Sequence, residues 1–237
     1  MLHRFLKRFV INSSRIHLFE YNEAFASTIP PGALVLDAGA GKAPYRELFN
    51  HARYESADFE KVDKEYAQST YVCDLASIPV EDERFDAVVF NQVLEHLPEP
   101  KRVLAELNRV LKKGGRIICT TPLFYEEHET PYDFYRYTQF AHRHLFEASG
   151  FQIERLEWME GYFGTVAYQL DTAARYLPVA PGQIAPGLLG YVLSPLVALL
   201  KVVFAVAAVI FYRVDIKSRY REKGFPKNYF VIAKKPV

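Results

Sequence analysis

The chain has 237 residues, half of them apolar, with 29 basic and 28 acidic side chains and a net charge of +1. That length accommodates one domain with an appendage, and the apolar half is enough for a substantial core. The balanced charge argues against nucleic acid as a partner, because phosphate-backbone binding needs an excess of Lys and Arg on one face.

Residues 1–29 form an amino-terminal helical segment. It opens with Leu2, Phe5, Leu6, Phe9 and Val10 at helical spacing, with His3, Arg4, Lys7 and Arg8 between them. This pattern is a short basic amphipathic helix, suited to an anionic membrane surface or to packing on the protein's own core. Its charges also break the apolar run that a signal peptide needs.

Residues 33–36 read as a buried parallel strand that ends in Asp37 and a turn containing Gly39 and Gly41, with Pro44 placed to start a helix. A phosphate-cradling loop needs a glycine five residues before Gly41-Lys42 and a Ser or Thr after it, and Leu36 and Ala43 stand there instead. A dinucleotide fingerprint needs a third glycine where Pro44 stands. What remains is Asp-x-Gly-x-Gly directly after a strand.

A second strand over 53–57 leads to Asp58, about twenty residues after the first acid, where a carboxylate can accept hydrogen bonds from ribose hydroxyls; Glu60 is the fallback. A third short strand over 70–73 ends at Asp74 and Leu75, and Phe85–Asn91 is a fourth. The helix over 100–111 carries Val103, Leu104, Leu107, Val110 and Leu111 at helical spacing, and Lys112-Lys113-Gly114-Gly115 closes it before a fifth strand over 116–120.

Four motifs in this order resemble the class I S-adenosylmethionine-dependent methyltransferases, in particular the methyltransferase type 11-like group that includes quinone-biosynthesis and small-molecule enzymes. The resemblance covers roughly residues 30–158. It implies an α/β, doubly wound, mostly parallel seven-stranded sheet with an antiparallel last strand, and this chain's own apolar run adds a helical insertion before that strand. It implies S-adenosyl-L-methionine as cofactor, bound by Asp37, Gly39, Gly41, Asp58, Asp74, Leu75 and Asn91. In that family the acid at Asp74 contacts the adenine amino group, the backbone at Leu75 meets the ring, and the segment 92–97 flanks the methionine moiety. Ala43 stands where the family often has a further glycine, which leaves slightly less room.

Acceptor chemistry belongs to the loop over 121–138, which is aromatic and acidic, with Thr138 as N-cap of a helix at Gln139–Ala148. His128 and His96 are the candidate catalytic bases, needed where the acceptor is a hydroxyl or ammonium group. Tyr132, Tyr135 and Tyr137 are candidates to line an acceptor pocket. Cys73 and Cys119 fall in predicted buried strands without metal-ligand spacing, so the cysteines imply a reducing cytoplasm and no metal site.

A Pro/Gly-rich linker over 178–187 precedes an apolar stretch whose helix should start at Ser194-Pro195 and run over 196–212, broken only by Lys201. About 26 Å of such helix is slightly short of the ~30 Å hydrocarbon core. Arg213, Lys217, Arg219, Arg221 and Lys223 follow, as where a chain leaves a membrane on its cytoplasmic side. Asn228–Lys234 reads as the last core strand, and a single crossing would leave it on the wrong side.

The domain organisation is therefore a core over 30–160, an apolar and membrane-associated insertion over 161–227 and a final strand over 228–237. The expected function is methyl transfer to a small or lipid-linked acceptor at the inner face of a membrane, with a homo-oligomer interface as the other use of the apolar segment. The rivals are a nucleotide-dependent oxidoreductase or epimerase, which lacks its Tyr-x-x-x-Lys pair here, and a non-catalytic membrane adaptor retaining the fold.

Overall fold

The structure is a computed structural model that describes residues 12–237; the basic amphipathic segment over 2–10 lies outside the described residues. The described residues divide into two units, one of His17–Met159 with Asn228–Val237 and one of Glu160–Lys227 with residues 12–16.

The first unit is a seven-stranded sheet. In chain order its elements are helix α1 (Ser13–Ala26), β1 (Leu34–Ala38), β2 (Arg53–Asp58), β3 (Tyr71–Val72), β4 (Phe85–Asn91), α2 (Pro100–Val110), β5 (Leu111–Pro122), α3 (Gln139–Ala148), β6 (Gln152–Trp158) and, after the second unit, β7 (Asn228–Lys234). The strand order is β3-β2-β1-β4-β5-β7-β6. β1 pairs in parallel with both β2 and β4, whereas β7 lies antiparallel between β5 and β6. The strand order therefore reverses between β1 and β4, and open α/β sheets bind ligands at the carboxyl ends of strands at such a point. From His17 onward α1 belongs to this unit: Tyr21 stacks on Phe230 of β7 at 4.1 Å between ring centroids, and Phe25 is buried. Aromatic packing on the sheet thus joins the end of α1 to this unit.

Two local readings change. After the glycine turn the chain makes only a 3-10 turn at Arg46–Phe49, and no full helix forms at Pro44. The turn is anchored by Phe49, which is buried against the β1 face, so one turn suffices to close the layer. β5 starts directly at Leu111, without a separate glycine-capped loop, since Gly114 at φ +76° is absorbed where the strand's register with β4 shifts. Cys119 is buried in β5, while Cys73 lies just past β3 and is only half-buried.

The second unit is a helical hairpin of α4 (Tyr162–Tyr176) and α6 (Leu188–Ser218), with a single turn of helix, α5 (Pro181–Ile184), at the connection. Ala167, Ala208 and Tyr212 form its small core. At its base the Gly161 N–H donates to Asp215 Oδ1 at 2.8 Å. Further along, the Lys201 ammonium donates to the carbonyls of Arg175 and Leu177 at 3.0 and 3.2 Å, so the single charge in the apolar run caps the end of α4. α6 is 31 residues long, about 46 Å, and begins at Leu188; Pro195 lies inside it. The start expected at Ser194-Pro195 is therefore wrong. Ser194 Oγ donates to the Val179 carbonyl and does not cap the helix, and the apolar run on both sides overrides the local break. The helix is long and strongly apolar and nearly all of its apolar run is left uncovered, so by length and composition it could cross a membrane.

Candidate active site

The glycine turn leaves β1 with Gly39 at φ +74°, Gly41 at +53° and Ala43 at +50°. A Cβ on Gly39 would meet the Val93 side chain, 2.7 Å from Cγ1, so only glycine lets the turn lie against the segment after β4. Ala43 holds a left-handed conformation that favours glycine, at a cost of about 1 kcal/mol. The Asp58 carboxylate, at the end of β2, accepts from the Gly41 N–H at 2.9 Å and from the Glu60 N–H at 3.1 Å. It thereby ties the turn to the neighbouring strand.

A cavity of about 520 Å³ opens at the carboxyl ends of these strands, in the size range of a small-molecule site. Gly39, Asp58, Asp74, Leu75 and His96 line it, together with Phe59, Cys73, Val93, Glu129 and Tyr132. Asp37, Gly41, Asn91 and Glu60 do not. Asp37 is buried and accepts a hydrogen bond from the Tyr54 hydroxyl; burial, with Asp58 nearby, raises its pKa to about 7. Asn91 donates to Asn22 and accepts from Thr120, which fixes the end of β4 behind the cavity. Burial raises the Cys73 thiol to about 11, so it enters the wall as a neutral group.

At the other end of the cavity the loop after β5 folds back over the segment after β4. His96 Nδ1 lies 2.6 Å from the Tyr132 carbonyl, and His128 Nδ1 lies 3.1 Å from the Glu126 carbonyl. A carbonyl only accepts, so each Nδ1 carries a proton, and in the neutral form of either ring the lone pair is on Nε2. The two rings meet edge to face at 4.7 Å. Burial lowers the His96 pKa. Asp133 orders the loop: it accepts from both Arg136 terminal nitrogens at 2.6 and 2.8 Å and from the His128 N–H at 2.9 Å, and Arg136 pulls its pKa down to about 2. Of the three tyrosines proposed for an acceptor pocket, Tyr132 lines the cavity, Tyr137 is buried in the core with its hydroxyl on the Leu94 carbonyl, and Tyr135 is exposed.

Residues 36–119 match the methyltransferase domain family. Over those residues the chain carries a methyltransferase domain. Over 107 residues the methyltransferase domain is 36% identical to a ubiquinone/menaquinone biosynthesis C-methyltransferase from Desulfotalea psychrophila, covering 39% of this chain and 44% of that one. Over 116 residues it is 30% identical to a tRNA (carboxymethyluridine(34)-5-O)-methyltransferase from Arabidopsis thaliana, covering 46% and 29%. The chain thus spans less than half the length of either relative. The fold matches a putative methyltransferase from Haloferax volcanii, solved with the Trm112 activator, with a TM-score of 0.57 at 17% identity over 93% of this chain and 90% of that one. It also matches phosphoethanolamine N-methyltransferase 2 from Haemonchus contortus, solved with S-adenosyl-L-methionine, with a TM-score of 0.54 at 17% identity over 92% and 53%.

The residues of the methyltransferase domain fit its cofactor: a glycine turn that a side chain would fill, and carboxylates at the ends of β2 and β3, share one cavity. The sequence places Val93 and Glu95 in the methionine-flanking segment and Glu129, Asp133 and Arg136 in the acceptor loop without giving any of them a role of its own, and it does not single out Phe59. Glu95 stood beside a residue already singled out, and the pair Asp133 and Arg136 at three-residue spacing was the available signal for the loop clamp.

Proposed function

We propose that the chain transfers the methyl group of S-adenosylmethionine to a small or lipid-linked acceptor at the cytoplasmic face of a membrane. The observation that carries this reading is the convergence of Gly39, Asp58, Asp74 and His96 on one cavity at the carboxyl edge of the sheet. S-adenosylmethionine supplies an electrophilic methyl carbon on a sulfonium sulfur, which leaves as a neutral thioether.

Asp58 accepts hydrogen bonds from the ribose hydroxyls, because its carboxylate has lone pairs beyond those that hold Gly41 and Glu60. Asp74 contacts the adenine amino group, and Leu75 offers its backbone to the ring. Asp37, Gly41 and Asn91 shape the turn and its floor from outside the cavity lining. The displacement is in line, so positioning and exclusion of water carry most of the rate. His96 and His128 form the acceptor-activating pair, each with an Nε2 lone pair that can receive the proton of a hydroxyl acceptor. The quinone-biosynthesis relative favours an acceptor of this small or lipid-linked kind.

The membrane part of the reading rests on α6. Leu196, Leu199, Val202, Val203, Val206 and Ile210 are all exposed on it. The hairpin returns the chain to its base at Gly161 and Asp215, so the excursion can enter the bilayer and leave on one side, which β7 requires. The basic residues after α6 suit anionic headgroups.

Calorimetry with the full chain should give micromolar S-adenosylmethionine binding, and Asp58→Ala should weaken it at least about tenfold, or 1.4 kcal/mol. Unchanged affinity in the variant, or preference for NAD, overturns the cofactor roles. The full chain should fractionate with membranes, resist salt and yield to detergent, since screening releases only electrostatic attachment. A chain soluble without detergent, and dimeric until residues 188–212 are replaced by a Gly/Ser linker, would make the segment an oligomer interface instead.

A further inference from the structure

Glu95 is fully buried, and among the described residues neither of its carboxylate oxygens reaches a hydrogen-bond partner in another residue. A buried carboxylate with no partner is costly unless something compensates it. Its surroundings contain two nitrogen donors. One donor atom from each of Glu95, His96 and His128 lies within 4.8 Å of the others, and His96 Nε2 is 3.8 Å from Glu95 Oε1. Glu129 Oε2 stands 3.9 Å from the same Nε2, with its other oxygen held by Lys64 at 2.7 Å.

We infer that Glu95, His96 and His128 bind a divalent transition-metal ion, with Glu129 as a further oxygen ligand. Two imidazoles and a carboxylate form a donor set of mixed nitrogen and oxygen that suits Zn²⁺, Mn²⁺ or Fe²⁺ and leaves positions open for an outside ligand. Metal-bound histidines characteristically donate their second ring N–H to a carbonyl or carboxylate, which fixes the tautomer and aims the other nitrogen at the ion. Both histidines already do this, His96 to the Tyr132 carbonyl and His128 to the Glu126 carbonyl, with Asp133 Oδ2 at 3.4 Å from the same His128 nitrogen. Ligand bonds of about 2.1 Å require the donors to close in by roughly an ångström, a movement within side-chain reach. His96 and Glu129 also line the cavity, so the open positions face it.

What the ion does to the acceptor rests on the methyl-transfer reading: in the loaded chain it would hold and acidify an acceptor oxygen with the imidazoles as its ligands, and the base role of His96 and His128 would be confined to the metal-free chain. Metal binding itself does not depend on that reading.

The test uses the full chain in mild detergent, carrying no histidine tag, stripped with chelator and titrated with Co²⁺ and then Zn²⁺. The expected result is one Co²⁺ per chain with a visible absorption band that Zn²⁺ removes. His96→Ala and His128→Ala should each weaken binding at least about tenfold, while exposed His144→Ala leaves it unchanged. X-ray absorption of the Zn²⁺-loaded wild-type chain, which needs no variant to fold, should show imidazole nitrogens beside oxygen ligands. The absence of saturable binding, a metal shell without imidazole, or unchanged affinity in the double histidine variant overturns the site. S-adenosylhomocysteine binding, measured alongside, reports on the cofactor reading separately.

Discussion

Leu104 and Leu199 both sit on apolar helix faces, with opposite surroundings. Leu104 on α2 is 0% exposed, inside a cluster with Leu94, Phe90 and Phe146. Leu199 on α6 is 62% exposed. In α2 the apolar residues recur every third or fourth position with charged residues between them, so one face meets the sheet and the other meets water. In α6 apolar residues occupy every side, and α4 covers only one of them. A helix with one apolar face is satisfied by its own chain, whereas one that is apolar all round needs a lipid or a second protein around it.

Truncation at the buried site breaks the comparison most severely. Leu104→Ala should cost about 2–5 kcal/mol in denaturant unfolding, because it removes apolar contacts and leaves a cavity that the sheet cannot fill by collapse. A loss under about 1 kcal/mol would mean that the α2 interface is loosely packed.

A buried titratable group sharpens the same contrast. His142 on α3 is fully buried, its Nε2 lies 2.8 Å from Thr121 Oγ1, and burial lowers its pKa from 6.5 to about 4. The unfolded chain therefore binds a proton near pH 6.5 that the folded chain refuses until about pH 4. The stabilisation is present above pH 6.5 and is lost as pH falls through that window. The slope should be at most about 1.4 kcal/mol per pH unit. Stability curves of wild type and His142→Gln between pH 4 and 7 should differ by this slope, and parallel curves would show that His142 titrates normally.

How much of this was legible in the sequence depends on the range of the forces involved. β4, β7 and α3 stand at the bounds read from the chain, because an apolar run between polar ends, or a Thr138 cap, is decided locally. The Ser194-Pro195 start failed for the opposite reason: a cap signal worth about 1 kcal/mol competes with a long run of apolar side chains that favour a continuous helix. That Asp58 and Asp74 lie along one cavity was readable because strand ends of a parallel sheet converge. The cluster of Glu95, His96 and His128 was not, since the loop after β5 brings His128 back over the segment after β4, and no sequence spacing records that return.

The glycine turn gives a smaller and more local effect. Gly39→Val places a Cβ against Val93 and puts a β-branched residue at φ +74°, so the turn must move away from the segment after β4. S-adenosylmethionine affinity measured by calorimetry should fall at least about tenfold, or 1.4 kcal/mol. Retained affinity would show that the cofactor does not depend on close approach of this turn.

The smallest effect on folding is expected where the leucine is exposed. Leu199→Ala should change unfolding stability in detergent by no more than about 0.5 kcal/mol, since the side chain makes few contacts within its own chain. Its effect should appear in another measurement. If lipid covers this face, removing the side chain forfeits part of the roughly 1.5–3 kcal/mol gained by burying a leucine, and binding to anionic vesicles should weaken several-fold. The same chemical change then costs stability at Leu104 and membrane affinity at Leu199. A stability loss at Leu199 as large as that at Leu104, with vesicle binding unchanged, would show that a protein surface covers α6, and the contrast between the two helices would become one between an internal core and an interface.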